Sequence, residues 1–214
     1  MKSIKLVLVV LFSIAIVSCG GGGGTTPTTT TTTTSGKVTL SGTVAQGAAI
    51  ASATITIKDK NGSTTTGTTG TDGKYSIDVT GKTAPFLMKV PAGTGYLYSV
   101  ATATATGTAN INPFTDLIIR NWYKVQGSDV ETDFSGTSAL VKVPTATEIN
   151  TIEAEIRNIL SANLTSVGET TNFNLLTSSF DADHTGFDKV LDNTRVAVST
   201  TGAVTVTATD PTTG

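Results

Sequence analysis

The chain has 214 residues and a formal net charge of −2, from 14 basic and 16 acidic side chains. The basic residues are scattered and form no stripe, which argues against a nucleic-acid partner. The single cysteine and single histidine exclude an intrachain disulfide and any zinc site that needs two or more histidines. Frequent Thr and Gly, low charge and alternating Val, Ile and Thr favour an exported β-protein.

The first residues have the pattern of a removed secretory signal. Lys2 and Lys5 supply positive charge, residues 6–17 are mostly apolar, and Ser18 is a small residue suited to a cleavage site. The apolar run covers about 12 residues, whereas a membrane-spanning helix needs roughly 20. A signal peptide at residues 1–18 is therefore favoured over a retained transmembrane helix.

The end of this run resembles the lipoprotein box of bacteria, which Ile16-Val17-Ser18-Cys19 matches position by position. The resemblance implies that Cys19 becomes the first mature residue and carries a diacylglyceride and usually an N-acyl chain, which bind the membrane. Gly20 is similar to the residue that follows the cysteine in lipoproteins sorted to the outer membrane. We expect a bacterial outer-membrane lipoprotein on the periplasmic or surface face. A secreted protein with an incidental cysteine is the alternative.

A low-complexity segment, residues 19–36, begins at the cysteine. It consists of a glycine run and then of threonines interrupted by Pro27. Neither run can bury apolar surface, so the segment is predicted to be a disordered tether. Fully extended, its residues would reach at most about 55 Å. A bare spacer is favoured over a glycosylated stalk.

Period-two alternation begins at Lys37 and predicts at least six short strands before residue 108. Ile55 and Ile57 share one strand face, and Asn61-Gly62 and Asp72-Gly73 are turn signals between strands. Antiparallel strands at this spacing are typical of a β-sandwich. The predicted strand segments are 38–44, 53–58, a Thr-rich run, 74–79, 86–90 and 96–104.

Several of these segments resemble the carboxypeptidase regulatory-like domain. The most specific of them is Thr71-Asp72-Gly73-Lys74-Tyr75-Ser76-Ile77, supported by the segments at 41–44, 53–57 and 86–90 and by Gly62. The resemblance implies a transthyretin-like (prealbumin-like) sandwich of about seven strands over residues 37–108, without zinc ligands. In exported bacterial proteins such a module is usually a spacer or a binding unit.

Two tyrosines are candidates for carbohydrate binding. Tyr96 and Tyr98 lie two residues apart and therefore share a strand face, where their rings could stack on a sugar. Packing within the core or across strands is the alternative.

Residues 109–192 are predicted to be a helical segment packed on the sandwich. Asn112 and Pro113 form a helix start, and Gly127 ends that helix. Trp122, within the helix, is predicted to be buried in the core. A second helix begins with a capping box of Thr145 and Glu148. Its apolar stripe comprises Ile149, Ile152, Ile156, Ile159, Leu160 and Leu164.

The same helix has a predicted ion pair on its polar side. Glu153 and Arg157 lie one turn apart, a spacing at which opposite charges meet on a helix surface.

An acidic loop near the end of this segment is a candidate calcium site. Asp181, Asp183, Thr185 and Asp192 fall at positions 1, 3, 5 and 12 of an EF-hand loop, with Gly186 at position 6. Asp188 replaces the aliphatic residue of position 8, and position 12 is Asp rather than Glu. The alternative is a turn capped by Thr185 that enters a short helix, with Phe187, Val190 and Leu191 packed inward.

Residues 193–214 are predicted to be a β-hairpin that joins a sheet, followed by a frayed tail. The expected protein is not an enzyme and needs no cofactor, since His184 is the only histidine and no nucleophile elbow or Walker loop is present. We expect a lipid-anchored structural or interaction module that contacts the membrane through Cys19 and another envelope protein or a polysaccharide. The alternative is a carbohydrate-binding module.

Overall fold

The computed structural model describes residues 36–198 and 204–208. Its first seven strands form two sheets, with the orders β4-β1-β7 and β3-β2-β5-β6. All neighbours pair antiparallel except β1 and β7, which are parallel. The strands are β1 (Thr39–Thr43), β2 (Thr54–Lys58), β3 (Thr64–Thr68), β4 (Lys74–Asp78), β5 (Phe86–Ala92), β6 (Gly95–Ala101) and β7 (Gly107–Thr108). The predicted sandwich-like β-architecture is confirmed at this level.

Alternation along the strands explains why the four-stranded sheet is covered on both faces. In β5, Phe86 and Met88 belong to the core shared with the three-stranded sheet, while Leu87 between them belongs to the core shared with the helices. Successive side chains point to opposite sides of a strand, so each sheet face contributes to a different core. The order of layers is therefore three-stranded sheet, four-stranded sheet, helices.

The two predicted turns carry glycines in the left-handed region. Gly62 has a φ of +87° and Gly73 a φ of +75°, values that residues other than glycine rarely adopt. At Gly73 a Cβ atom would also lie 2.5 Å from the carbonyl oxygen of Val44. Both the dihedral angle and the close approach require glycine there.

The described residues include five helices, of which the first packs on β6 and the third packs on the first. Both predicted helix starts are confirmed: Asn112 caps the first helix, and Thr145 with Glu148 forms the capping box of the third. Trp122 is buried as predicted, and Gly127, with a φ of +65°, follows the end of the first helix. The helices are α1 (Pro113–Val125), α2 (Val130–Ser135), α3 (Ala146–Ile159), α4 (Ser161–Ser166) and α5 (Gly186–Asn193).

Two details of the second predicted helix are corrected. Its apolar stripe is divided between α3 and α4, which separate at Leu160. The Glu153–Arg157 pair forms with an N–O distance of 3.2 Å, yet Glu153 is only 1% exposed and therefore does not lie on a solvated face. Its Oε1 also accepts the backbone N–H of Leu175 at 3.0 Å, so the segment that crosses over α3 buries it.

The predicted hairpin is present as β8 (Thr194–Val198) and β9 (Val204–Ala208), paired antiparallel. It was expected to join a larger sheet, but among the described residues it forms a two-stranded sheet of its own. The predicted signal and nearly all of the tether lie outside the described residues, as do the hairpin turn and the tail from Asp210. Within the described ranges no helix is long and apolar enough to span a bilayer.

Candidate functional site

The two candidate sugar-binding tyrosines have very different surroundings. Tyr96 is 44% exposed, whereas Tyr98 is 2% exposed and its ring meets that of Phe134 edge to face at 5.7 Å. The ammonium of Lys89 lies 4.5 Å from the centre of the Tyr96 ring. The predicted pair of surface rings is therefore corrected to one, because the ring face of Tyr98 is covered.

Helix α1 accounts for the burial of Tyr98. The Thr115 hydroxyl donates to the carbonyl oxygen of Tyr98 at 3.1 Å, and Asp116 accepts the Tyr98 backbone N–H at 3.0 Å. Arg120, paired with Asp116, lies over the Tyr98 ring at 5.1 Å. The outward face of β6 is thus an interface between sheet and helices.

The candidate calcium ligands Asp181 and Asp192 bond to side chains outside the candidate set, whereas Asp183 bonds to Thr185 within it. Asp181 pairs with Lys74 at 2.6 Å. Asp183 Oδ1 accepts both the backbone N–H and the hydroxyl of Thr185, at 3.0 and 2.7 Å, and these bonds hold the pKa of Asp183 below its usual value. Asp192 Oδ2 contacts His184 Nδ1 at 2.9 Å.

Asp181 belongs to a polar cleft of about 430 Å³ on the three-stranded sheet. Its ion pair with Lys74 forms part of the wall of this cleft, together with Thr43, Tyr75, Asn110 and Phe180. Tyr75 and Asn110 are themselves tied to backbone atoms, the Tyr75 hydroxyl to the carbonyl of Ala109 and the Asn110 oxygen to Thr43 N–H.

The start of α5 follows the alternative prediction for this loop, with one change. Phe187, Val190 and Leu191 are buried as expected. Thr185 occupies the N-cap position, but its side chain makes no capping bond. The carboxylate of Asp188 instead accepts the backbone N–H of His184, the residue before the N-cap, with its Oδ2 at 2.8 Å.

A second grouping of ligand-type side chains lies along this helix. His184, Asp188 and Asp192 each offer one ligand atom, and these three atoms lie within 4.8 Å of one another. The bond to Asp192 is the main cause of a raised pKa of the His184 imidazole, while burial raises the pKa of Asp188. Asp188 is 0% exposed, and its Oδ1 has no hydrogen-bond partner in the described part of the chain.

Sequence reasoning missed this grouping, although a signal was present. Asp188 and Asp192 are spaced i and i+4, which places them on one side of a helix, and His184 precedes that helix by two residues. In the sequence, His184 is a candidate for catalysis, and Asp188 either departs from the EF-hand pattern or occupies the third position of the alternative short helix.

The other buried charges are used to join elements of the fold. The ammonium of Lys58 donates to the carbonyl oxygens of Asp133 and Gly136, both at 2.8 Å, at the end of α2. The carboxylate of Asp133 accepts from Val141 N–H, Lys142 N–H and the Tyr123 hydroxyl at 2.8–3.0 Å. Each of these charges is thus compensated by neighbouring dipoles.

No protein-family model, no curated protein and no solved structure matches this chain. Cys19, the predicted lipid attachment point, lies outside the described residues. A function must therefore be argued from the residues of the chain itself.

Proposed function

We propose that this chain is a bacterial outer-membrane lipoprotein whose folded part is a non-catalytic structural or interaction module. The observation that carries the proposal is Ile16-Val17-Ser18-Cys19 at the end of a short apolar run, with Cys19 the only cysteine of the chain. A run of about 12 residues suits an export signal and is too short to span a bilayer. Acyl chains on Cys19 would retain the protein at the membrane.

The segment between Cys19 and the first strand supports display on a tether. The first strand begins at Thr39, so about 19 residues separate it from the proposed anchor. Glycine and threonine predominate in this segment, and such a composition favours a flexible spacer. As a flexible coil, this segment would hold the folded part on average about 2–2.5 nm from the anchor, and at most about 6 nm.

The buried charges support a non-catalytic role. Lys58, Asp133 and Glu153 have their polar atoms directed at backbone groups that connect separate segments. Such bonds stabilise the fold and account for the burial of these groups without a catalytic role. The proposed activity is accordingly contact with another envelope protein or a polysaccharide.

We further propose that residues 37–108 are a carboxypeptidase regulatory-like domain with a transthyretin-like sandwich. Seven strands in sheets of three and four support this proposal. So does the turn before β4, where Asp72 Oδ1 accepts Lys74 N–H at 3.0 Å and Gly73 takes its left-handed conformation. Tyr75 then begins a core-facing register at 5% exposure.

Metabolic labelling with a radioactive fatty acid tests the anchor. The full-length chain, expressed in a bacterium with an outer membrane, should incorporate label and fractionate with that membrane. Cys19→Ala should lose both, while Ser18→Ala, which keeps a small residue before the cysteine, should retain both. A wild-type chain that carries no label and keeps residues 1–18 would refute the proposal.

Carbohydrate binding is an alternative proposal that depends on Tyr96 alone. A stacked sugar would have to use the exposed side of this ring or displace Lys89 from it. Retention on a panel of insoluble polysaccharides, lost in Tyr96→Ala, would favour the alternative. Equal behaviour of wild type and variant would exclude it.

A further inference from the structure

The side chains of His184, Asp188 and Asp192 combine one imidazole and two carboxylates within 4.8 Å. Exposed acidic clusters are common, and proximity alone would not distinguish a binding site. The decisive feature is Asp188, which is fully buried while its Oδ1 lacks any hydrogen-bond partner within the described ranges. Six buried side-chain atoms among the described residues lack partners, and of these Asp188 Oδ1 alone belongs to the group of ligand-type side chains. A buried carboxylate oxygen without a protein donor is suited to bind a cation.

Asp192 is held in this group by the loop after β1. A Cβ atom at Gly47, whose φ is +81°, would lie 2.6 Å from Asp192 Oδ1. The backbone of Gly47 therefore packs directly against the carboxylate and limits its positions. Any larger residue at position 47 would therefore clash with Asp192 and displace it.

Asp188 likewise fixes the backbone that carries the imidazole. His184 has a φ of +64°, an uncommon conformation for a residue with a side chain. Its N–H donates to Asp188 Oδ2 at 2.8 Å. The buried carboxylate thus positions His184 with one oxygen and leaves the other directed to no protein donor among the residues described.

We propose that His184, Asp188 and Asp192 bind one divalent transition-metal ion, of which Zn²⁺ is the representative. A nitrogen ligand with two carboxylates suits Zn²⁺, whereas Ca²⁺ and Mg²⁺ prefer oxygen ligands throughout. Three protein ligands leave a coordination position for water or for a ligand group from a partner. This set shares only Asp192 with the predicted EF-hand ligands, which are Asp181, Asp183, Thr185 and Asp192.

Zinc binding requires a rearrangement of up to about 1.5 Å, because ligand atoms as far as 4.8 Å apart must approach one another. Zn–N and Zn–O distances of about 2.0–2.1 Å in a tetrahedron place neighbouring ligand atoms about 3.3–3.4 Å apart. The bond between His184 Nδ1 and Asp192 Oδ2, now 2.9 Å, would open by about half an ångström as the metal replaces its proton. The His184 side chain is 66% exposed and can move, while Asp188 stays in place.

Zinc titration of the full-length chain tests the site. The protein is purified in detergent without a polyhistidine tag, stripped with EDTA and titrated with Zn²⁺ against a competing chelator. We expect one Zn²⁺ per chain. His184→Asn, which keeps a residue that tolerates positive φ, and Asp188→Asn should each weaken binding at least about tenfold. Asp181→Asn is the matched control and should bind like wild type.

Two further measurements separate the site from the fold and from the anchor. Because His184 is the only histidine, its ring protons form a unique nuclear magnetic resonance signal. Zn²⁺ should shift this signal in wild type and in Asp181→Asn but not in Asp188→Asn, while far-UV circular dichroism verifies folding. Cys19→Ala should bind Zn²⁺ equally, which excludes the thiol and makes the result independent of lipidation.

Three results would overturn the proposal. They are no Zn²⁺ binding at 100-fold molar excess, binding that survives in both His184→Asn and Asp188→Asn, and Ca²⁺ binding that requires Asp181 but not His184. The last outcome would assign the loop to the EF-hand arrangement instead.

Discussion

Replacing Lys58 by methionine should destabilise the protein strongly, although Lys58 lies at the end of a short strand. The side chain is 1% exposed and leaves the four-stranded sheet on its helix-facing side. Its ammonium donates to carbonyl oxygens of Asp133 and Gly136 at 2.8 Å, and to that of Phe134 at a weaker 3.4 Å. These carbonyls end α2, where no further helical N–H groups follow to satisfy them.

The size of the effect follows from these contacts. A hydrogen bond to a charged group contributes about 1.5–3 kcal/mol, so the two short bonds account for roughly 3–6 kcal/mol. The methionine side chain carries no charge to be dehydrated on folding, and this smaller dehydration cost offsets part of the loss. We expect a net loss of about 2–4 kcal/mol in the free energy of unfolding. The melting temperature of a chain of this size should fall by roughly 5–15 °C.

Urea denaturation of the full-length chain in detergent measures this loss. Lys60→Met is the matched control, because Lys60 is an exposed lysine two residues away. Lys58→Met should lower the midpoint without changing the slope of the transition, and Lys60→Met should leave both unchanged. Equal midpoints for the two variants would refute the assignment of Lys58 as the cap of α2.

Two other predictions concern the turn before β4 and the aromatic cluster around α5. Gly73→Ala should lower the free energy of unfolding by about 2–4 kcal/mol, since it adds a clash with the Val44 carbonyl to the strain of positive φ. Gly81→Ala should lower it by about 1 kcal/mol, because no atom lies within 4 Å of its Cβ position. Thermal unfolding of both variants checks this difference. Phe187→Ala should cost about 3–5 kcal/mol, because the ring is fully buried and 4.7 Å from that of Phe173. Calorimetry should show a clearly smaller loss for Phe187→Leu, and equal losses would contradict the packing argument.

Much of the fold could be predicted because its signals are local. Tyr75 and Ile77 alternate with polar residues in β4, and both face the core. Asn112 and Thr145 carry their helix-capping function in their own side chains, whose hydrogen bonds span only two or three residues. Period and capping depend on neighbours in sequence, so they can be recognised without knowing how the elements pack.

What could not be predicted depends on contacts between distant segments. With Ile55 and Ile57 inward, Lys58 falls on the opposite face of β2, which alternation assigns to solvent. Helices from residue 113 onward cover that face, and the same layer buries Tyr98. For Lys58 and Tyr98, a third layer covers a face that would be solvated in a two-layer sandwich. Glu153 lies at helical spacing from Ile149 and Ile156 on the buried side of α3, but its bond with Leu175 N–H, 22 residues away, cannot be read from that spacing.

The contrast between these buried charges and Asp188 leads to a last prediction. Lys58 and Glu153 are compensated by the fold, whereas one oxygen of Asp188 is not. In the metal-free chain, Asp188→Asn should therefore change the free energy of unfolding little or raise it, because the amide still accepts His184 N–H and removes an unpaired charge. With Zn²⁺ at 100 times its dissociation constant, wild type should gain about 2.7 kcal/mol and the variant almost nothing. The two melting temperatures should then change order, or move apart in favour of wild type, when zinc is added. If Asp188→Asn instead destabilises the metal-free chain by several kcal/mol and zinc does not alter the difference, Asp188 only stabilises the fold.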